Sequence, residues 1–223
     1  MSQKKVLELF FDVISPYSWL GFEVLCRYKN IWNVDLRLRP GLLGGIMHAT
    51  GNRPPAMVPT KGAYMAKDMQ RLSEYYQVPI RQPSDFFHVI LKKGSLAAMR
   101  FVTAVNLSHP EFVEPVSREL WVRIWSEDKD ITEPESILEA AKKAGMSVEL
   151  ATKLLQATDQ PEVKNALKET TDEALKHGVF GMPSIVAYIN GEPQLYFGSD
   201  RFELLAHQLG EKWLGPVPSK PRL

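Results

Sequence analysis

The chain is 223 residues long and 44% apolar, enough for one large domain with a substantial core or a domain carrying an insertion. With 27 Lys and Arg against 26 Asp and Glu, its formal charge of +1 sets up no field that would select nucleic acid or an anionic membrane surface, which leaves small molecules and proteins as partners. No apolar run approaches the roughly 20 residues of a spanning helix, the N-terminus leads straight into a strand pattern rather than a secretory signal, and the single cysteine, Cys26, excludes an internal disulfide and fits a reducing compartment.

Residues 6–14 read as a buried strand, apolar at nearly every position. A helix over 15–32 follows, with Leu20, Val24, Tyr28 and Ile31 in one stripe that Leu25 and Trp32 broaden. Residues 33–40 alternate, with Val34, Leu36 and Leu38 on one face, and stop at Pro40, so the opening is a β-α-β unit with parallel strands. From 41 to 62 the breakers Gly44-Gly45, Gly51-Asn52 and Pro54-Pro55 predict a long loop. Helices are then expected over 64–76, 96–107, 111–125, 133–144, 148–157 and 162–177, the fourth opened by the capping box Thr132-x-x-Glu135. Strands return at 182–189 and 194–197 around the turn Asn190-Gly191, and a last helix over 200–209 opens with Ser199 and the box Asp200-x-x-Glu203. The order β-α-β, helices, β-β-α predicts an α/β fold, a mixed four-stranded sheet covered by helices.

The stretch that organises the rest is Ser15-Pro16-Tyr17-Ser18, where the first strand meets the first helix. Pro16 suits the first helical position and Ser15 the N-cap, which puts a hydroxyl where free amides and the positive end of the helix dipole converge. Taken alone, Ser15 caps a helix; taken as chemistry, the place suits an anion. No His or Cys spacing suggests a metal site, and no phosphate loop suggests a nucleotide cofactor.

The whole chain resembles the kappa class of glutathione S-transferases. The resemblance is carried by Phe11-Asp12-Val13-Ile14-Ser15-Pro16-Tyr17-Ser18-Trp19-Leu20-Gly21-Phe22-Glu23, Gly51-Asn52-Arg53-Pro54-Pro55, Gly94-Ser95-Leu96-Ala97-Ala98-Met99-Arg100-Phe101, Phe180-Gly181-Met182-Pro183 and Phe197-Gly198-Ser199-Asp200-Arg201. That class is similar in turn to DsbA disulfide oxidoreductases and to 2-hydroxychromene-2-carboxylate isomerases. The resemblance implies a thioredoxin-like domain over 1–62 and 178–223, with a DsbA-like all-helical domain inserted over 63–177.

Oxidoreductases of that fold carry Cys-x-x-Cys where this chain has Ser15 and Ser18, so dithiol exchange is excluded at this turn. The electropositive helix start remains, and it can stabilise the thiolate of a bound glutathione to which Ser15 donates. The resemblance implies that Pro183 is cis and that Met182 pairs with the peptide-like middle of glutathione. It also assigns Asn52 to glutathione, gives Ser199 and Asp200 its γ-glutamyl end, and places Pro16 and Tyr17 beside the thiol. Lys61 and Arg201 are expected to pair with its carboxylates, Arg201 across a dimer interface. Glutathione is then a co-substrate, and no cofactor is implied.

The function implied is conjugation of glutathione to a hydrophobic electrophile such as an aryl halide, with glutathione peroxidase activity, in a homodimer. Apolar residues around Trp19, the 41–62 loop and the inserted helices are expected to receive the electrophile. The alternatives are a glutathione-dependent isomerase of the 2-hydroxychromene-2-carboxylate type and a non-catalytic DsbA-like chaperone or partner-binding protein. The class is associated with the mitochondrial matrix and the peroxisome, with the cytoplasm as the alternative location. Pro221-Arg222-Leu223 resembles a degenerate peroxisomal tripeptide.

Overall fold

The computed structural model describes residues 3–218. Pro221-Arg222-Leu223 lies outside the described residues. A four-stranded sheet in the order β2-β1-β3-β4 is built from β1 (Lys5–Phe11), β2 (Val34–Pro40), β3 (Ser184–Ile189) and β4 (Glu192–Phe197). The β1–β2 pair is parallel, with Leu7 beside Leu36 and Leu9 beside Leu38; β3 is antiparallel to both β1 and β4.

The central strand is buried on both faces, as a near-continuous apolar run requires. Leu7, Leu9 and Phe11 point into the larger core, which runs on through Trp19 and Phe22 of α1 (Pro16–Tyr28). Phe10 points the other way, into a smaller core with Val186 of β3, Ile46 of α2 (Leu43–Thr50) and Ala174 of α8 (Pro161–Lys176).

The helices between β2 and β3 also include α3 (Pro59–Tyr76), α4 (Leu96–Ser108), α5 (Val113–Trp125), α6 (Pro134–Lys143) and α7 (Val148–Ala157); α9 (Phe202–Leu209) follows the hairpin. The larger core is continuous from the sheet into α4, α5 and α6, through Phe101, Trp121 and Ile137. Helix α8 lies within the segment expected as an insertion but packs on the sheet side: Leu42 N donates to Thr171 Oγ1 at 3.0 Å, and Glu173 pairs with Arg39 of β2.

Several local expectations are corrected. Strand β1 ends at Phe11, not at 14, because the Asp12 carboxylate takes the Ile14 N–H at 3.0 Å and the Asp12 carbonyl takes the Ser15 N–H at 3.1 Å, which closes a turn. Helix α1 stops at Tyr28, and Ile31 lies exposed rather than in the buried stripe.

The 41–62 segment is not a plain loop. It holds α2, a short 3-10 turn at Pro55–Met57 and the first residues of α3. Gly45 suits α2 because the helix packs closely there, where a Cβ would lie 3.3 Å from Thr171 Cγ2, whereas a Cβ at Gly44 would meet open space. A π-helical turn at His88–Lys93 was not legible in the sequence. Neither capping box forms. Asp130, not Thr132, caps the approach to α6, accepting from Thr132 N at 2.6 Å and Glu133 N at 2.7 Å. Arg201 precedes α9, while Asp200 pairs with Arg201 at 3.4 Å.

Candidate active site

Ser15 is the N-cap of α1, with extended backbone at φ −94° and ψ 118°, and its Oγ accepts from Ser18 N at 3.1 Å. The same hydroxyl donates to the Met182 carbonyl at 3.2 Å, across the sheet end from a residue 167 positions later. Capping and donation are thus both in use in one side chain. The Ser15 carbonyl is fixed from a third direction by Trp121 Nε1 of α5 at 3.1 Å.

The Met182-Pro183 peptide is cis, as the resemblance implied. Gly21 lets α1 approach it, since a Cβ there would lie 3.2 Å from Pro183 Cγ. Beside this junction opens a cavity of about 770 Å³, within the range that holds drug-sized ligands. Ser15, Pro16, Tyr17, Asn52, Lys61, Met182, Pro183, Ser199 and Asp200 all line it.

Nine of the ten residues expected at a glutathione site therefore converge from four stretches of chain. Arg201 does not line the cavity, and its guanidinium turns to the Asp200 carboxylate. Asn52 donates from Nδ2 to the Phe180 carbonyl at 2.7 Å and accepts the Arg53 N–H at 2.8 Å, so it ties the 52 loop to the segment before β3 that carries the cis proline. Tyr17 donates to Asp68 Oδ2 at 3.3 Å; burial first, then the Asp68 charge, hold its phenol well above the usual range, so it stays protonated. Ser18 is fully buried and does not line the cavity, so the second serine of the tetrad faces the core.

Trp19 is a correction. It is 1% exposed, stacks on Trp121 with rings parallel to within 1°, and donates from Nε1 to Glu23 at 3.0 Å, so it forms no part of an electrophile pocket. Apolar walls come instead from Leu43 and Met47 of α2, Met65 of α3, Phe86 and Trp125.

Three supporting residues were given no role from the sequence, although Asp12 lies in the first matching stretch. Asp12 is fully buried and also accepts from Leu43 N at 2.8 Å and Ser95 Oγ at 2.9 Å, linking the first turn of the site to α2 and α4. Burial outweighs these three hydrogen bonds and pushes its carboxyl up to about 6. Tyr76 donates to the Ser199 carbonyl at 2.6 Å, and burial pushes its phenol up to about 12. Trp121 is the third, and each acts over a long sequence separation that local pattern does not encode.

On the other side of the sheet, Glu8, Glu173 and His177 come within 4.8 Å of one another. Arg39 already stands among them, 3.6 Å from Glu8 and paired to Glu173, so a guanidinium neutralises the acids a metal would need. Among the described residues no helix is long and apolar enough to cross a membrane.

Comparison with known proteins decides the family. Residues 6–210 match the DSBA-like thioredoxin domain family, and the chain is 60% identical to human glutathione S-transferase kappa 1 over 214 residues, covering 96% of this chain and 95% of that one. The chain belongs to the kappa class of glutathione S-transferases, within the DSBA-like thioredoxin family. It is also 25% identical to a 2-hydroxychromene-2-carboxylate isomerase from Sphingobium xenophagum over 92% of this chain and 98% of that one. A solved 2-hydroxychromene-2-carboxylate isomerase structure superposes with a TM-score of 0.72 at 20% identity, over 92% and 94% of the two chains, and so shares the fold.

Proposed function

We propose that the chain is a glutathione transferase that ionises the thiol of bound glutathione at Ser15 and directs the thiolate at a hydrophobic electrophile. One observation carries this reading: a hydroxyl at a helix N-cap meets a cis-proline junction beside a cavity lined by the residues a tripeptide would need.

In the unliganded site the Ser15 proton is held by the Met182 carbonyl. When glutathione binds, the hydroxyl turns to the sulfur and the Met182 carbonyl takes a peptide N–H of the ligand, so one hydrogen bond is exchanged for another and the carbonyl is not stranded. A thiol with pKa of about 8.5 is a few per cent ionised at pH 7, and lowering it by two units takes about 2.7 kcal/mol. A charge-assisted hydrogen bond of about 1.5–3 kcal/mol and a helix terminus of about 0.3–1 kcal/mol together supply that. The thiol proton leaves to solvent, sulfur bonds to the ring carbon of an aryl halide, and halide departs. With an organic peroxide, sulfur attacks oxygen, the O–O bond breaks and the alcohol leaves; a second glutathione then displaces the oxidised sulfur's hydroxyl as water and forms glutathione disulfide.

Ser199 and Asp200 hold the γ-glutamyl end, Lys61 a carboxylate, and Asn52 acts by pinning the loop that carries part of the wall. The family resemblance adds a homodimer, to which Arg201 contributes, and a mitochondrial-matrix or peroxisomal location. Sedimentation and organelle fractionation test those two points.

Calorimetric titration with glutathione, followed by turnover of a model aryl halide, tests the function. Binding with turnover supports it. Binding without conjugation, but with isomerisation of an aromatic pyruvate adduct, supports the isomerase reading. Absence of glutathione heat overturns the proposal in favour of a partner-binding protein.

A further inference from the structure

A second cavity, of about 490 Å³, opens between α3 and the π-helical turn at His88–Lys93. Ala56, Met65, Phe86 and Trp125 line both this cavity and the larger one, so these four residues form a wall common to the two. The remaining lining is almost wholly apolar: Gln82 supplies the one polar side chain, and no Asp, Glu, Lys or Arg is present among the described residues. Met57, Phe87 and Leu91 on its rim are each 47–59% exposed, a concentration of large apolar side chains that a surface without a ligand does not need. Met57, Met65 and Met69 contribute flexible thioethers that adapt to a chain better than to a rigid ring. Trp125 Nε1 is buried with no acceptor among the described residues.

We propose that this second cavity receives the tail of the electrophile, and that the chain takes electrophiles bearing an unbranched alkyl chain that ends in a methyl group. The inference rests on the glutathione-transferase reading and gives its substrate class. The reactive carbon lies at the glutathione sulfur near Ser15, and the chain runs on past Met65 and Phe86, which line both cavities. A chain ending in a carboxylate is disfavoured, because no cationic side chain lines the cavity to meet it.

Straight-chain 2-alkenals from butenal to nonenal test this, because their reacting atoms are identical and only the tail changes. Glutathione sulfur bonds to the β-carbon, the C=C pair moves onto oxygen as an enolate, and the α-carbon takes a proton from water; nothing leaves. At saturating glutathione, kcat/KM is expected to rise by up to about fourfold per added methylene, the equivalent of about 0.8 kcal/mol per buried CH₂, until the cavity is full.

Ala66 is exposed on α3 and lines the second cavity alone, and the same holds for Ala63. Ala66→Phe, or Ala63→Phe in its place, fills the space and is expected to flatten the series. A flat series in the unmodified protein, or an unchanged slope in both variants, overturns the inference. So does turnover of an aryl halide with none of the aldehydes. Failure on aryl halide and aldehydes alike refutes instead the transferase reading on which the inference stands.

Discussion

Replacing Ser15 by Gly and by Ala separates the two uses of its hydroxyl. Glycine is a good N-cap and costs only a few tenths of a kcal/mol relative to serine, whereas alanine costs about 1 kcal/mol. Both remove the bond to Ser18 N at 3.1 Å and the donation to Met182 O at 3.2 Å, and both leave bound sulfur without a donor. The lost charge-assisted bond of about 1.5–3 kcal/mol corresponds to roughly one to two pKa units, so bound glutathione should titrate near 8 rather than near 6.5. At pH 6.5 the ionised fraction falls from about half to a few per cent, and kcat/KM for an aryl halide falls about tenfold to thirtyfold. Above pH 9 the loss should largely vanish, because the thiol ionises unaided. The assays are thiolate absorbance of the glutathione complex against pH, and urea unfolding. Glycine and alanine variants should share the thiol shift and differ in stability. If Ser15→Gly leaves the thiol titration unmoved, Ser15 is a cap and nothing more.

Asp12→Asn addresses the buried acid. Its carboxyl is raised from 3.8 to about 6 by burial, so the folded state binds the proton more tightly than the unfolded one. The resulting stability is fully present below pH 3.8 and is lost as pH rises through 6, a change of about 3 kcal/mol. Wild type should therefore lose that much relative to Asp12→Asn between about pH 4 and pH 7 in urea unfolding; a constant difference would show that Asp12 is not perturbed. Gly21→Ala places a Cβ 3.2 Å from Pro183 Cγ and 3.3 Å from its Cβ. Overpacking of about 1–3 kcal/mol, offset by about 1 kcal/mol of helix propensity, should move the cis-proline junction and raise KM for glutathione more than it lowers kcat. An unchanged KM would show that the junction has slack. Trp121→Phe removes the donor to the Ser15 carbonyl and should cost about 1–3 kcal/mol in thermal unfolding, with a measurable rise in the pKa of bound thiol. Loss of stability with an unmoved thiol pKa would confine Trp121 to packing.

What the sequence made legible was local or periodic. Ser15 before Pro16 announces a cap, Asn190-Gly191 between apolar runs announces a hairpin, and the apolar run over 6–14 announces a central strand; the structure has all three, with the strand ending at Phe11. Residues brought together by tertiary packing were not legible. A glycine pair reads as a break, yet Gly44 and Gly45 lie in α2, where Gly45 gives Thr171 room. Thr132-x-x-Glu135 reads as a capping box, yet Asp130 reaches the same amides first. Trp19 reads as an aromatic beside the site, but its indole faces Glu23 and Trp121. Nine of the ten expected site residues line one cavity, eight of them within the matching segments and Lys61 outside them, whereas Tyr76 has no local signature and Asp12, though inside the first matching segment, shows its supporting role only through tertiary contacts.

The helical block between β2 and β3 is bonded directly to the turn that carries Ser15 and to the Ser199 segment. Trp121 of α5 reaches the Ser15 carbonyl from 106 residues away, Tyr76 of α3 fixes the Ser199 carbonyl, and Ser95 at the start of α4 holds Asp12. Trp121 is wedged by Phe11 and Phe22 at 5.5 and 4.8 Å between ring centroids, and Arg118 one turn earlier binds Glu23 of α1 at 2.7 Å. Displacing α5 therefore moves the backbone of Ser15, the residue proposed to donate to sulfur. Bonds within the turn, from Ser18 N to Ser15 Oγ and from Ser15 N to the Asp12 carbonyl, fix part of its geometry, and the inserted helices fix the rest through Trp121 and Ser95. On the proposed mechanism, substitutions in the α1–α5 contact should therefore alter thiol ionisation although none of them touches the ligand.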